Sequence, residues 1–237
     1  MEKELSVVIP TYNERKNLEI LLPRILEVFK KNHVDGEIII VDDRSNDGSF
    51  EYLNAQIKLI PKLKVIFRDP PPSLSRAWFE GFDAASKKNI ASMDADLCYN
   101  PEVLPLMLEK MNEFDIVVGS RYIHNRFTLM KGKPVFLVYL SIVGQFIARM
   151  VTGLTVYDTS SGFRMFKKNL FNAIKGKLKT KGNTFLIEFL FYAKNNGARI
   201  AEIPIEYGER IHGITKLKIS REGFRYLGFI IGTLFRR

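Results

Sequence analysis

The chain is nearly without cysteine: among its 237 residues only Cys98 carries a thiol. No internal disulfide can form, so the fold has to be held by burial and hydrogen bonds, and a reducing cytoplasm is the expected setting. Histidine is almost as scarce. His33, His124 and His212 show neither metal-ligand nor triad spacing and read as ordinary surface residues. The phosphate-cradling loops G-x-G-x-x-G and G-x-x-x-x-G-K-[ST] are both missing, which argues against dinucleotide and P-loop sites. No secretory leader pattern, internal repeat or low-complexity stretch is seen. Nor is there an uninterrupted run of roughly 20 apolar residues to span a bilayer.

Hydrophobic residues make up 46% of the chain, which excludes disorder, and the length suits one α/β domain with a full core. The net charge of +10 is lopsided. Residues 1–120 carry 15 Lys+Arg against 20 Asp+Glu, while residues 121–237 carry 21 against 6. A C-terminal half with a balance of +15 points to an anionic partner: a membrane surface, phosphates or nucleic acid. Nucleic acid is disfavoured because that half holds no recognisable reading motif.

Short β-branched runs alternate with amphipathic stretches through the first half. Leu5–Ile9, Glu37–Val41, Lys64–Phe67, Ile90–Met93 and Ile116–Val118 read as buried parallel strands. Asn17–Lys31, Gly48–Ile57, Leu74–Ser86 and Glu102–Met111 read as helices between them. Serial βα units imply an open, doubly wound sheet whose ligand site lies at the carboxyl ends of the strands. Polar residues directly after strands are therefore the functional candidates: Thr11-Tyr12-Asn13-Glu14, Asp42-Asp43, Asp94-Ala95-Asp96 and Gly119-Ser120-Arg121.

The second half changes character. Val135–Val151 is apolar but interrupted by Ser141, Gly144, Gln145 and Arg149, so it reads equally as a buried or an interfacial helix. Tyr226–Phe235 is apolar too, with Lys216, Lys218, Arg221 and Arg225 before it and Arg236-Arg237 after it. That pattern fits an amphipathic helix on anionic lipid; packing on the sheet is the other reading.

In Asp94-Ala95-Asp96, residues i and i+2 of an extended segment point the same way, so the two carboxylates can converge on one cation. Paired hard oxygens with substrate phosphates suit Mg²⁺ or Mn²⁺. In the Asp42-Asp43 loop, Asp47 or Ser45 can cap the following helix, which does not account for two acids at a strand end. A carboxylate there can accept hydrogen bonds from a nucleoside.

Taken in order, Val8-Ile9-Pro10-Thr11-Tyr12-Asn13-Glu14, Val41-Asp42-Asp43, Asp94-Ala95-Asp96 and Gly119-Ser120-Arg121-Tyr122 resemble the family 2 glycosyltransferases of GT-A fold. Asp158-Thr159-Ser160-Ser161-Gly162-Phe163-Arg164, Glu202-Ile203-Pro204-Ile205 and Arg210 to Leu217 resemble the polyprenyl (dolichyl) phosphate mannose synthase branch. The resemblance runs from about Leu5 to Lys218 and implies a Rossmann-like, mostly parallel sheet flanked by helices. It places the GT-A domain at 1–218 and an amphipathic basic helix at 219–237.

By that resemblance Pro10, Tyr12, Glu14, Val41 and Asp43 hold the nucleoside. Asp94 and Asp96 bind the metal and, with Ala95, the diphosphate; Asp96 and Arg121 are the catalytic pair. Arg121 faces the sugar and acceptor phosphate, and Arg210 and Lys216 close over the donor. The implied reaction is an inverting transfer of a hexose, mannose first, from a nucleotide sugar such as GDP-mannose to a polyprenyl phosphate at the cytoplasmic membrane face. A phosphate monoester is already anionic near neutral pH, with a second pKa of about 6, so no general base is required. Two alternatives stay open: another donor of UDP-glucose type, or a glycan hydroxyl acceptor with Asp158 or Glu188 as base. A binding subunit without turnover is a third. Departures from the branch are Cys98 where a harder ligand is usual, Pro70-Pro71-Pro72-Ser73 where glycine is usual, and Leu137 where a basic residue is usual.

Overall fold

The structure, a computed structural model, describes residues 3–123, 135–208 and 219–235. Strands β1 (Glu4–Thr11), β2 (Asp35–Asp42), β3 (Leu63–Phe67), β4 (Asn89–Ser92), β5 (Ile116–Ser120), β6 (Arg164–Lys167) and β7 (Ile200–Pro204) form one sheet in the order β3-β2-β1-β4-β6-β5-β7. Helices α1 (Arg15–Lys31), α2 (Ser49–Leu59), α3 (Leu74–Ala84), α4 (Leu104–Lys110), α5 (Val135–Thr152), α6 (Lys168–Ile174), α7 (Thr184–Asn195) and α8 (Ile219–Leu234) flank it.

Pairing is parallel between β1 and β2, β1 and β4, β2 and β3, and β5 and β7. β6 runs antiparallel to both β4 and β5. The five strands read from sequence are all present, and β6 and β7 are added to them. β6 is four residues, Arg164-Met165-Phe166-Lys167, too short and too charged at its ends to give a period-2 signal. The stretch read as one helix over Glu102–Met111 is a 3₁₀ turn, Pro101–Val103, followed by α4, because Pro101 and Pro105 each suit a helix start and not an interior.

Alternation sorts the strand residues onto two cores. Leu5, Val7, Ile9, Ile38 and Ile40 pack with Leu18, Leu21, Leu22 and Ile25 of α1. Val8, Ile39 and Val41 pack on the other face with Ala77, Trp78 and Phe82 of α3 and with Phe185 and Phe189 of α7. α3 lies close to the sheet because residue 81 is glycine: a Cβ there would come 2.3 Å from Val8 Cγ1 and 3.0 Å from Val41 Cγ2. Trp78 of the same helix lies beside Gly162 in the turn before β6.

α5 and α8 pack together, and α8 also packs on α7, burying Phe229 and Ile230. Their other sides expose Phe136, Tyr139, Val143, Phe146 and Met150 on α5, and Phe224, Leu227, Ile231 and Leu234 on α8. Among the described residues no helix is long and apolar enough to cross a membrane.

Candidate active site

The chain order reverses between β1 and β4, and the residues singled out from sequence gather at the carboxyl edge on either side of that switch point. Three non-glycine residues with left-handed backbone sit in the loops at this edge: Asn13 (φ 54), Arg44 (φ 54) and Leu97 (φ 63). Such conformations persist only where surroundings over-determine them. Around Asn13 hydrogen bonds do so. Asn13 N–H donates to Ser45 Oγ at 2.7 Å, and Asn46 N–H donates to Asn13 Oδ1 at 2.8 Å. Arg15 N–H donates to Asp47 Oδ2 at 2.9 Å. The loops after β1 and β2 are thus stitched into one unit.

Asp42 is the knot of that unit. It is fully buried and accepts from Thr11 Oγ1 (3.0 Å), Ser45 N–H (2.9 Å) and Ser45 Oγ (2.6 Å). Ser45 therefore serves Asp42 and does not cap α2. Gly48 (φ 84) holds the N-cap position, and Asp47 bonds Ser49 N–H from one residue earlier.

Asp43, also buried, accepts from Ser73 N–H at 2.7 Å and pairs with Arg68. Burial pushes its carboxyl above the usual range, and the opposing bonds from Ser73 and Arg68 do not cancel that. Arg68 further bonds Glu80 at 3.0 Å and the Ser73 carbonyl at 3.2 Å. Arg68 is absent from the sequence expectations although it follows β3 directly and obeys the same strand-end rule as the others.

The remaining nucleoside candidates divide. Tyr12 is partly exposed, while Pro10 is buried in β1. Glu14 lies at the N-cap of α1 and accepts from Asn17 Nδ2 at 2.6 Å. The Val41 side chain is buried toward α3, so any contact it makes with a ligand falls to its backbone, whose carbonyl already faces Thr11 Oγ1 at 3.5 Å.

After β4 the chain turns through Asp94-Ala95-Asp96. Asp94 is part-exposed; Asp96 is 5% exposed and its Oδ1 accepts from Cys98 N–H at 3.1 Å. Gly162 lies directly against Asp94: a Cβ there would be 3.0 Å from Oδ2, 3.4 Å from Oδ1 and 3.3 Å from Trp78 Cζ2. The glycine thus leaves open the space beside the Asp94 carboxylate that any side chain would fill. A hard carboxylate donor beside such a space, with a second carboxylate two residues along the chain, is a donor set that fits a divalent cation taking its other ligands from phosphate and water. Among the described residues no group of three or more His, Cys, Asp or Glu side chains gathers to hold an ion, so Asp94 and Asp96 do not by themselves form a closed cage. Cys98 is buried, and its carbonyl accepts from Gly208 N–H at 2.9 Å.

Arg121 follows β5 and meets Asp158, which precedes β6. The guanidinium grips the carboxylate in a fork, Nε to Oδ2 at 2.7 Å and Nη2 to Oδ1 at 2.9 Å, and Nη2 also donates to Ser160 Oγ at 2.9 Å. The Arg121 backbone N–H adds a bond to Oδ2 at 3.2 Å. Asp158 N–H is held by Glu202 Oε1 at 2.9 Å. Burial disfavours both charges. The pairing outweighs it, so Asp158 stays below the usual carboxylate range and Arg121 holds its proton more firmly than a free arginine. Tyr207 closes over the other side of Arg121, 5.4 Å from the guanidinium.

Arg164 organises the intervening turn. It is fully buried and donates to the carbonyls of Ser161 (Nε, 3.1 Å) and Leu186 (Nη1, 2.7 Å). Burial pulls its pKa down to about 10, against the nearby charges of Asp158 and Asp94, so it remains a cation at neutral pH. Glu188, the other carboxylate considered as a base, is buried and accepts from Lys179 N–H (2.9 Å), Thr180 N–H (2.8 Å) and Thr180 Oγ1 (2.8 Å). Arg210, Lys216 and the 124–134 segment lie outside the described residues.

A family model, glycosyl transferase family 2, matches residues 6–175. The chain is 29% identical to an undecaprenyl-phosphate mannosyltransferase of Micrococcus luteus, over 89% of this chain and 86% of that protein. It is 30% identical to a polyprenol monophosphomannose synthase of Mycolicibacterium smegmatis, over 90% and 81%. Identity reaches 34% with a dolichol-phosphate mannosyltransferase of Pyrococcus furiosus, covering 96% of this chain but 62% of that longer protein. Among solved structures, glucosyl-3-phosphoglycerate synthase from Mycobacterium tuberculosis in complex with phosphoglyceric acid superposes with TM-score 0.68 at 19% identity, over 99% of this chain and 79% of that one. The same enzyme with Mn²⁺ and UDP-glucose gives 0.67 at 19%, over 99% and 78%. At that identity the likeness speaks to the GT-A fold alone.

Proposed function

The chain belongs to glycosyl transferase family 2, and from that premise we propose that it transfers mannose from GDP-mannose to a polyprenyl phosphate with inversion at the anomeric carbon. The sugar and acceptor are those named for the three relatives. One observation carries the choice of a phosphate acceptor over a hydroxyl. The carboxylates considered as bases are both taken: Asp158 is locked to Arg121, and Glu188 is locked to the Lys179–Thr180 backbone. A hydroxyl acceptor needs a base near the anomeric carbon, whereas a phosphate monoester arrives already ionised.

In this reading Tyr12 and Asp43 bind the nucleoside, and Asp94 and Asp96 hold Mg²⁺ or Mn²⁺ beside Gly162. When bound, that ion would offset the negative charge of the donor's diphosphate. Arg121, kept cationic by Asp158, draws the acceptor phosphate to the sugar and steadies the charge shifting between them. Tyr207, backed by the buried ring of Tyr99, covers the Arg121 guanidinium with apolar surface that limits water. Arg210 and Lys216 are proposed to close over the donor.

The exposed apolar sides of α5 and α8, flanked in sequence by Arg221, Arg225, Arg236 and Arg237, support peripheral contact with an anionic membrane face, where the lipid acceptor resides. The test is direct. Purified protein with Mn²⁺, GDP-mannose and polyprenyl phosphate in vesicles is expected to release GDP and form a mannosyl lipid. Release that needs a glycan hydroxyl and ignores lipid phosphate overturns the acceptor assignment; no turnover with any nucleotide sugar overturns the whole reading.

A further inference from the structure

Gln145 is a polar residue buried on a helix whose outward positions are apolar. It is 8% exposed, with Phe146 and Ile147 beside it facing outward. A buried amide is costly unless its hydrogen bonds are made, and those of Gln145 all go to one place. Its Oε1 accepts from Thr159 N–H at 3.1 Å and from Thr159 Oγ1 at 2.5 Å; its Nε2 donates to Ser160 Oγ at 2.8 Å. Those two residues sit between Asp158 and the Gly162 turn.

Counting donors fixes the direction of the chain of bonds. A hydroxyl has one proton and two lone pairs. Ser160 Oγ accepts from Arg121 Nη2 (2.9 Å) and from Gln145, so its proton goes to Asp158 Oδ1 at 3.1 Å. Thr159 Oγ1 gives its proton to Gln145, so in its 3.3 Å contact with Tyr226 of α8 the tyrosine is the donor. The relay therefore runs Tyr226, Thr159, Gln145, Ser160, Asp158, every member donating toward the carboxylate that grips Arg121. Bonds aligned in this way reinforce one another.

We propose that Gln145 is a positioning residue for Arg121, fixing the guanidinium from the helix pair α5 and α8 and so coupling the seating of the acceptor to those helices. This rests on the reading of Arg121 as the acceptor-facing cation. Packing alone would be satisfied by an apolar side chain of the same size, so Gln145→Met separates the two roles.

Two measurements on the full chain test this. In protein labelled with ¹⁵N-arginine, the Nε–H signal of Arg121, assigned by its loss in Arg121→Lys, is expected to shift and to exchange with water about tenfold faster in Gln145→Met. In vesicles carrying polyprenyl phosphate, kcat/KM for the acceptor is expected to fall about tenfold or more, as displacements remote from the chemistry can do. The GDP-mannose concentration that half-saturates the thermal shift should stay within twofold.

An unchanged Arg121 signal with unchanged acceptor kcat/KM overturns the proposal, as does a loss shared equally by donor affinity and acceptor kinetics. If the wild-type protein turns over no lipid phosphate, the functional reading falls and the Arg121 signal still decides the role of Gln145. Should Gln145→Met fail to fold, Tyr226→Phe removes one hydroxyl at the far end of the relay. It is expected to move both readouts in the same direction by a few-fold, and its having no effect on either overturns the coupling.

Discussion

Asp158→Asn keeps the shape of the side chain and removes its charge, which strands the Arg121 guanidinium in its pocket. The side chain of Arg121 is 15% exposed and that of Asp158 is not exposed at all, so solvent can do little to compensate. Breaking a buried pair by removing one partner costs about 3–5 kcal/mol. The remaining exposure of Arg121 and its bond to Ser160 argue for the lower end, about 3 kcal/mol. For a chain of this length each kcal/mol moves Tm by about 2–4 °C, so the variant is expected to melt about 6–12 °C below the wild type in a fluorimetric thermal scan.

The pH dependence has a definite sign. Asp158 is depressed in the folded protein and close to 3.9 in the unfolded chain. Its contribution is complete above the unfolded value and is lost as pH falls through the lower, folded one. The gap in Tm between wild type and variant should stay level from pH 7 to about 4 and narrow below that. A gap under about 2 °C at pH 7, or one that widens on acidification, refutes the account of Asp158 as the anchor of Arg121.

Asp94→Asn and Asp96→Asn should each abolish the Mn²⁺-dependent rise in Tm expected with GDP-mannose, which reflects a stabilisation of about 2.7 kcal/mol at a ligand concentration 100 times Kd. A rise that persists in both variants removes these residues from the metal site. Gly162→Ala puts a methyl group 3.0 Å from Asp94 Oδ2; metal-dependent stabilisation should drop at least several-fold, while the melting point without metal moves little. Glu37 is buried, which alone would raise its pKa, yet bonds from Lys64, Ser6 and Ser86 hold it at about 2. Glu37→Gln should therefore cost stability at neutral pH, and the difference from wild type should vanish as pH falls from about 4.5 to about 2, as urea midpoints would show. Replacing both Phe224 and Phe235 by Ser should weaken sedimentation with anionic vesicles about tenfold or more while leaving GDP-mannose binding intact.

Much of the fold was legible because its strands are buried on both faces and rich in Val and Ile, a signal that survives without any alignment. Asp94, Asp96 and Arg121 were singled out by one rule, that polar residues after a buried strand stand at the ligand edge, and the structure sets them just past β4 and β5. β6 was invisible for a related reason: at four residues, between an irregular turn and α6, it carries no periodicity of its own. Asp42 and Asp43 looked alike in sequence but differ in task. One ties two loops together and the other pairs with Arg68, a distinction set by partners 31 and 25 residues away. Gln145 showed in sequence only as a polar break in an apolar stretch, because its partners Ser160 and Thr159 reach it only through the tertiary fold.

The reversed direction of β6 has a consequence for how this architecture can vary. Its neighbours β4 and β5 bring their carboxyl ends to the edge that carries Asp94 and Arg121, whereas β6 brings its amino end. The chain therefore departs from that edge at Arg121 and comes back to the same spot at Asp158. α5 belongs to the stretch of chain between these two clamped points. On the proposed function, changes in that stretch would bear on the Arg121–Asp158 side of the site and leave the stitched loops after β1 and β2 in place.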